Sequence, residues 1–97
     1  MDVKFTCVEA MERMIRANAL DLSEGGMYIV TNSTPKKGRS VMIEMPTVNG
    51  SSVKFTGSVV HHRTIDGLPH GIGIQFDFLD ESARKAVAEI VARSGEG

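Results

Sequence analysis

The chain has little of what several large classes of protein require. Its single cysteine forms no intrachain disulfide, which agrees with a reducing compartment. Its 11 basic and 12 acidic residues give a formal net charge of −1, without the basic excess that binds DNA or RNA. No segment has the run of about 18 apolar residues that spans a bilayer, and the N-terminus lacks a signal-peptide core. We therefore expect a cytoplasmic protein that binds no nucleic acid and does not insert into a membrane.

Motifs of catalysis and metal binding are also missing. The histidines His61, His62 and His70 are the obvious candidates. Neighbouring strand residues point to opposite faces, however, so His61 and His62 cannot chelate together. No cluster of cysteines and histidines completes a metal site, and no GxSxG, P-loop or HExxH motif occurs. We expect no enzymatic activity, no metal site and no cofactor.

The patterns that are present indicate one small, mainly β domain over residues 1–97. Apolar residues alternate with other residues in three segments, which is typical of half-buried strands. These strands are expected at 41–45, 53–60 and 71–78. Near the C-terminus the apolar residues follow helical spacing, which predicts a helix over about 80–93 with Asp80 as its N-cap.

The segment 21–26, Asp-Leu-Ser-Glu-Gly-Gly, lies between strand-like segments and has the composition of a turn. A carboxylate such as that of Asp21 can accept two N–H bonds, and the hydroxyl of Ser23 can donate or accept one. A glycine at position 26 leaves room for a ligand beside the backbone. Such a turn can read the edge of a guanine, although turns of this composition also serve only to reverse the chain.

This DxSxxG turn follows a segment that carries Arg16 and precedes the apolar segment 27–30, and a glycine-rich strand, 71–76, comes late in the chain. The combination resembles the PilZ domain family over about residues 3–92. The resemblance implies a six-stranded antiparallel β-barrel over about 3–78, followed by the C-terminal α-helix. It also implies binding of the bacterial second messenger cyclic di-GMP as a regulatory ligand. The ligand-binding residues that it implies are Asp21, Ser23, Gly26 and Arg16.

A second motif of the family, RxxxR before the first strand, is absent, because the chain runs from Met1 straight into a strand-like segment. The close pair Arg13 and Arg16 is spaced by three, so the two side chains would point to opposite faces of a strand. Other basic residues are candidates to replace the motif: Lys36, Lys37, Arg39 and Arg63. The sequence leaves two hypotheses: a receptor with a weakened nucleotide site, or a degenerate PilZ domain that acts through protein–protein interaction.

Residues 9–20 carry conflicting signals. Their apolar residues are spaced by three and four, and alanine is frequent, which favours a helix. The resemblance instead requires a β-hairpin with its turn near 10–12. We predict strand, because tertiary context overrides local preference.

The apolar stripe of the C-terminal helix also has two interpretations. It packs on the barrel, or it faces a partner protein or a second copy of the chain. The residues of the stripe are Ala83, Ala86, Val87, Ile90 and Val91.

Overall fold

The computed structural model describes residues 1–8, 14–33 and 35–95. Within these ranges the strands are β1 (Asp2–Cys7), β2 (Ile15–Leu20), β3 (Gly26–Val30), β4 (Ser40–Pro46), β5 (Ser52–Ile65) and β6 (Leu68–Phe76). They pair in the order β1-β2-β3-β6-β5-β4, all antiparallel, and β4 closes the barrel by pairing with β1. The helix α1 (Glu81–Gly95) follows the barrel. The expected six-stranded barrel with a C-terminal helix is confirmed.

The barrel interior contains the side chains that the alternating pattern predicted. Val41, Ile43 and Met45 of β4 are fully buried, since every second residue of a strand faces the same side. On β5 the side chains of Phe55 and Val59 are buried in the same way. The pattern therefore located the inward face of both strands.

The end of β6 departs from the expected alternation. Ile72, Ile74 and Phe76 are buried, but the strand ends at Phe76 and the Phe78 side chain is 81% exposed. Once the chain leaves the strand its period of two is lost, and the following residue, Leu79, packs into the core instead. The expectation that Phe78 continues the inward face of the strand was wrong.

The segment with conflicting signals contains a strand. β2 pairs with β1 on one side and with β3 on the other, and Ala19 faces the core with 5% exposure. These two ladders satisfy the β2 backbone in an extended conformation, which explains why local helix propensity did not decide the outcome. The expected hairpin turn at 10–12 lies outside the described residues.

Helix α1 packs its first turns against the barrel. Its expected N-cap is confirmed, because the backbone N–H of Ala83 donates a hydrogen bond of 2.8 Å to the Asp80 carboxylate. Ala83, Ala86 and Val87 are buried, whereas Ile90 and Val91 are only half-buried. In the described part of the chain, no helix has the length and apolar character needed to cross a bilayer.

Candidate ligand-binding site

The turn between β2 and β3 is closed by the side chain of Ser23. The backbone N–H groups of Gly25 and Gly26 donate to its Oγ, at 3.3 and 3.2 Å. Its own backbone N–H donates to the carbonyl oxygen of Gly26 at 2.9 Å, and its hydroxyl reaches the same oxygen at 3.3 Å. Ser23 therefore shapes the turn, and its hydroxyl is occupied by the backbone of the turn.

Asp21 is the first residue of the turn. Its backbone adopts φ 51°, a left-handed conformation that aspartate tolerates better than most residues. The residue is exposed, and its carboxylate has no hydrogen-bond or ion-pair partner within the part of the chain that the structure describes. An ionised carboxylate offers several acceptor sites, so Asp21 can receive N–H groups from a ligand.

Gly26 lets the turn lie directly against β6. It pairs with Gln75, and the backbone N–H of Phe76 donates to the carbonyl oxygen of Gly25 at 2.8 Å. A Cβ at position 26 would collide with the carbonyl oxygen of Ile74. The close approach of the two backbones therefore requires glycine.

The turn forms one wall of a cleft of about 250 Å³ on the outer surface of the barrel. The remainder of the cleft comes from the outer faces of β3, β5 and β6. Its lining residues are Asp21, Gly26, Met27, Tyr28, Val60, His61, Arg63, Gly73 and Ile74.

Two glycines of β6 provide space for rings on this outer face. A Cβ at Gly73 would collide with three ring atoms of His61 at once, so the imidazole lies across the glycine. A Cβ at Gly71 would collide with the phenol end of Tyr28. The glycines of β6 thus allow the rings of Tyr28 and His61 to lie close to the strand, which is a reason for glycine inside a barrel strand.

Tyr28 contacts His70 through its hydroxyl and Arg63 through the face of its ring. Its hydroxyl lies 2.5 Å from Nδ1 of His70, and the two rings stack with centroids 5.9 Å apart. The guanidinium carbon of Arg63 lies 4.9 Å from the centroid of the Tyr28 ring, within the range of a cation–π contact. The cleft therefore has a carboxylate on the turn and a guanidinium on β5.

Residues 2–93 match the PilZ domain family. The chain belongs to the PilZ family. No protein of curated function matches it. PilZ domains are cyclic di-GMP-binding modules and are generally not enzymes. The cleft beside the DxSxxG turn is accordingly the candidate ligand site of this PilZ domain.

Arg16 does not line this cleft. It lies on β2 opposite Lys4 and lines a separate cleft of about 450 Å³ together with Asp2 and Glu44. Arg16 and Asp21 are five positions apart along a largely extended chain, a distance of about 16 Å. The structure therefore brings together Asp21, Ser23 and Gly26 but not Arg16, and Arg13 is outside the described residues.

The three histidines have different surroundings. His61 pairs with Gly73 rather than facing His70 across the hairpin. His62 places its Nε2 2.5 Å from the carbonyl oxygen of Pro35, and His70 contacts Tyr28. Across the described ranges, no three His, Cys, Asp or Glu side chains are grouped closely enough to hold a metal ion.

Tyr28 and His61 line the cleft although the sequence did not indicate either as a residue of this site. Of the four basic residues considered as replacements for the missing motif, Arg63 is the one that lines the cleft. Two features of the sequence could have indicated this wall of the cleft: the two glycines at alternate positions of β6, and the long polar end of β5. Neither is informative without the pairing register between the two strands.

Proposed function

We propose that this PilZ domain is a non-enzymatic, cytoplasmic receptor module for cyclic di-GMP with a weakened nucleotide site. The observation that carries the proposal is the carboxylate of Asp21, which has no partner among the described residues and lines the cleft beside the DxSxxG turn. A guanine edge presents N–H donors side by side, and a carboxylate accepts two such donors at once. Ligand and site therefore have complementary hydrogen-bonding groups.

Each residue of the turn has its own role in this proposal. Asp21 binds the guanine, Ser23 maintains the turn through the backbone amides, and Gly26 provides the close approach to β6. The site is weakened because arginine forks onto phosphates and guanine, and no RxxxR pair occurs in residues 1–97. Arg16, which the family resemblance implied as a ligand-binding residue, lines another cleft.

Calorimetric titration of the domain with cyclic di-GMP tests this proposal. We expect measurable binding that Asp21→Ala abolishes and Ser23→Ala weakens, whereas Arg16→Ala changes the Kd by less than about twofold. Asp21 and Arg16 are both exposed, so neither substitution removes core packing. Cyclic di-AMP, which lacks the guanine edge, serves as the ligand control. Absence of heat and of any ligand-induced thermal shift at millimolar cyclic di-GMP would exclude the receptor function.

The second candidate is a degenerate PilZ domain that binds no ligand and acts through a protein partner or a second copy. The apolar surface around α1 favours it: Phe78 is 81% exposed, and Ile90 is only half-buried. If the domain binds no cyclic di-GMP, light scattering of the wild type, Phe78→Ser and Ile90→Ser tests this alternative. A concentration-dependent dimer that either substitution dissociates supports it, whereas a monomer at all concentrations argues against self-association.

A further inference from the structure

We propose that Arg63 supplies the cationic contact to the ligand phosphate, a role for which residues 1–97 contain no RxxxR motif, and that Tyr28 is its positioning residue. This inference rests on the proposed function and assigns to it two residues that the DxSxxG turn does not contain. Three observations support it: a bulge in β5, the seating of Tyr28, and the distribution of charge in the cleft.

The bulge directs Arg63 to the outer face of the barrel. Phe55, Gly57 and Val59 of β5 face inward, so uninterrupted alternation would turn residues 61 and 63 inward as well. The register shifts after Val59, with one extra residue, Val60, before His61 pairs with Gly73. After a bulge with one extra residue, the side chains of a strand point to the opposite face from the one that uninterrupted alternation would give. The Arg63 side chain therefore points to the cleft and not to the interior.

Tyr28 holds the guanidinium of Arg63 in place before any ligand arrives. The Tyr28 side chain is 6% exposed, it fits the space that Gly71 leaves, and its hydroxyl contacts His70. A ring held at both its face and its end presents a fixed surface to Arg63 at 4.9 Å. A cation ordered in advance loses less conformational entropy when it binds a phosphate than a freely moving one.

The charges of the cleft match the two ends of a nucleotide. Asp21 provides a negative acceptor on the turn, and Arg63 provides a positive donor on β5. A guanine nucleotide has N–H donors at its base edge and negative charge at its phosphate, so each end meets its complement. The planar guanidinium of arginine can bind two phosphate oxygens at once, whereas the ammonium of lysine acts as a point charge.

Titrations of cyclic di-GMP into Arg63→Ala and Arg16→Ala, at low and high salt, test the assignment of Arg63. We expect Arg63→Ala to weaken binding by at least about tenfold, as expected for a lost charge-assisted hydrogen bond, and to reduce the salt dependence. Arg16→Ala is the matched control and should change the Kd by less than about twofold. Wild-type binding that Arg63→Ala leaves within about twofold would overturn the inference while the receptor function stands. Failure of the wild type to bind would overturn both.

A double-mutant cycle tests the positioning role of Tyr28. If Tyr28 acts through Arg63, Tyr28→Leu should weaken binding in the wild-type background but have little further effect in the Arg63→Ala background. A merely structural role would add its loss to that of Arg63→Ala. Tyr28→Phe keeps the ring beside Arg63 and removes only the hydroxyl contact with His70, so it should bind nearly as tightly as the wild type. Tyr28→Met, which also removes the ring, provides the same cycle if Tyr28→Leu does not fold. Additive losses in the cycle would overturn the positioning role.

Discussion

Gly71 and Gly73 of β6 both lie beneath rings, yet alanine should affect them differently. The nearest neighbours of a Cβ at Gly71 would be the Tyr28 side chain and the carbonyl oxygen of Ile29. Tyr28 is 6% exposed and Ile29 is fully buried, so neither can move away easily. The nearest neighbours of a Cβ at Gly73 all belong to the His61 ring, which is exposed and free to rotate into solvent.

The expected magnitudes follow from two opposing effects. Inserting a methyl group into rigid surroundings costs about 1–3 kcal/mol. Replacing glycine by alanine where the backbone allows it stabilises by about 0.4–1 kcal/mol, through the unfolded chain. Neither glycine has a positive φ, so this gain applies to both. Gly71→Ala should therefore lower the free energy of unfolding by about 1–2 kcal/mol, and Gly73→Ala should leave it unchanged or raise it by about 0.5 kcal/mol.

Urea unfolding followed by far-UV circular dichroism measures both variants. The m-value should stay constant, because the same surface is exposed on unfolding. For a domain of this size, each kcal/mol corresponds to a shift in Tm of about 4–8 °C, so a thermal scan provides a second measurement. Equal losses for the two variants would refute the argument, since they would show that the His61 ring is as fixed as Tyr28.

Three further substitutions test other parts of the fold. Asp80→Ala removes the acceptor for the Ala83 amide and should lower the free energy of unfolding by about 1 kcal/mol in a thermal scan; Asp80→Asn keeps an acceptor and should stay close to wild type. Ser23→Ala removes the acceptor for two backbone amides of the turn, so hydrogen exchange should accelerate at Gly25 and Gly26, and unchanged protection there would contradict the role of Ser23. Glu44→Gln breaks two long, partly exposed ion pairs with lysines, at 4.0 and 3.8 Å, and should cost less than about 1 kcal/mol in urea unfolding; a loss of about 2 kcal/mol would require another role for this carboxylate.

The strands with an uninterrupted pattern were predictable because one face of each is buried. In β4 every second side chain enters the core, so Val41, Ile43 and Met45 could be assigned from alternation alone. The local pattern of β2 indicated a helix instead. Only the ladders with β1 and β3, which are contacts distant in sequence, decide its conformation.

The two halves of the candidate site differed in the same way. The turn could be predicted because the hydrogen bonds that close it join residues three or fewer positions apart, and glycine and serine encode them locally. The opposite wall could not be predicted, because the alternation that places Val59 in the core would also place Arg63 there. The shift in register between Val59 and His61 reverses that orientation, and it exists only in the pairing of β5 with β6.

By itself, the sequence determined the inward faces of β4 and of β5 up to Val59, the N-cap of α1, the DxSxxG turn and membership of the PilZ family. These features depend on side-chain period or on interactions within a few residues. Tertiary structure alone decided that β2 is a strand, that Arg16 lines a separate cleft, and that Tyr28 and Arg63 line the same cleft as Asp21. The physical reason is that strand pairing and register arise from contacts between distant segments, and a shift of one residue exchanges the two faces of a strand.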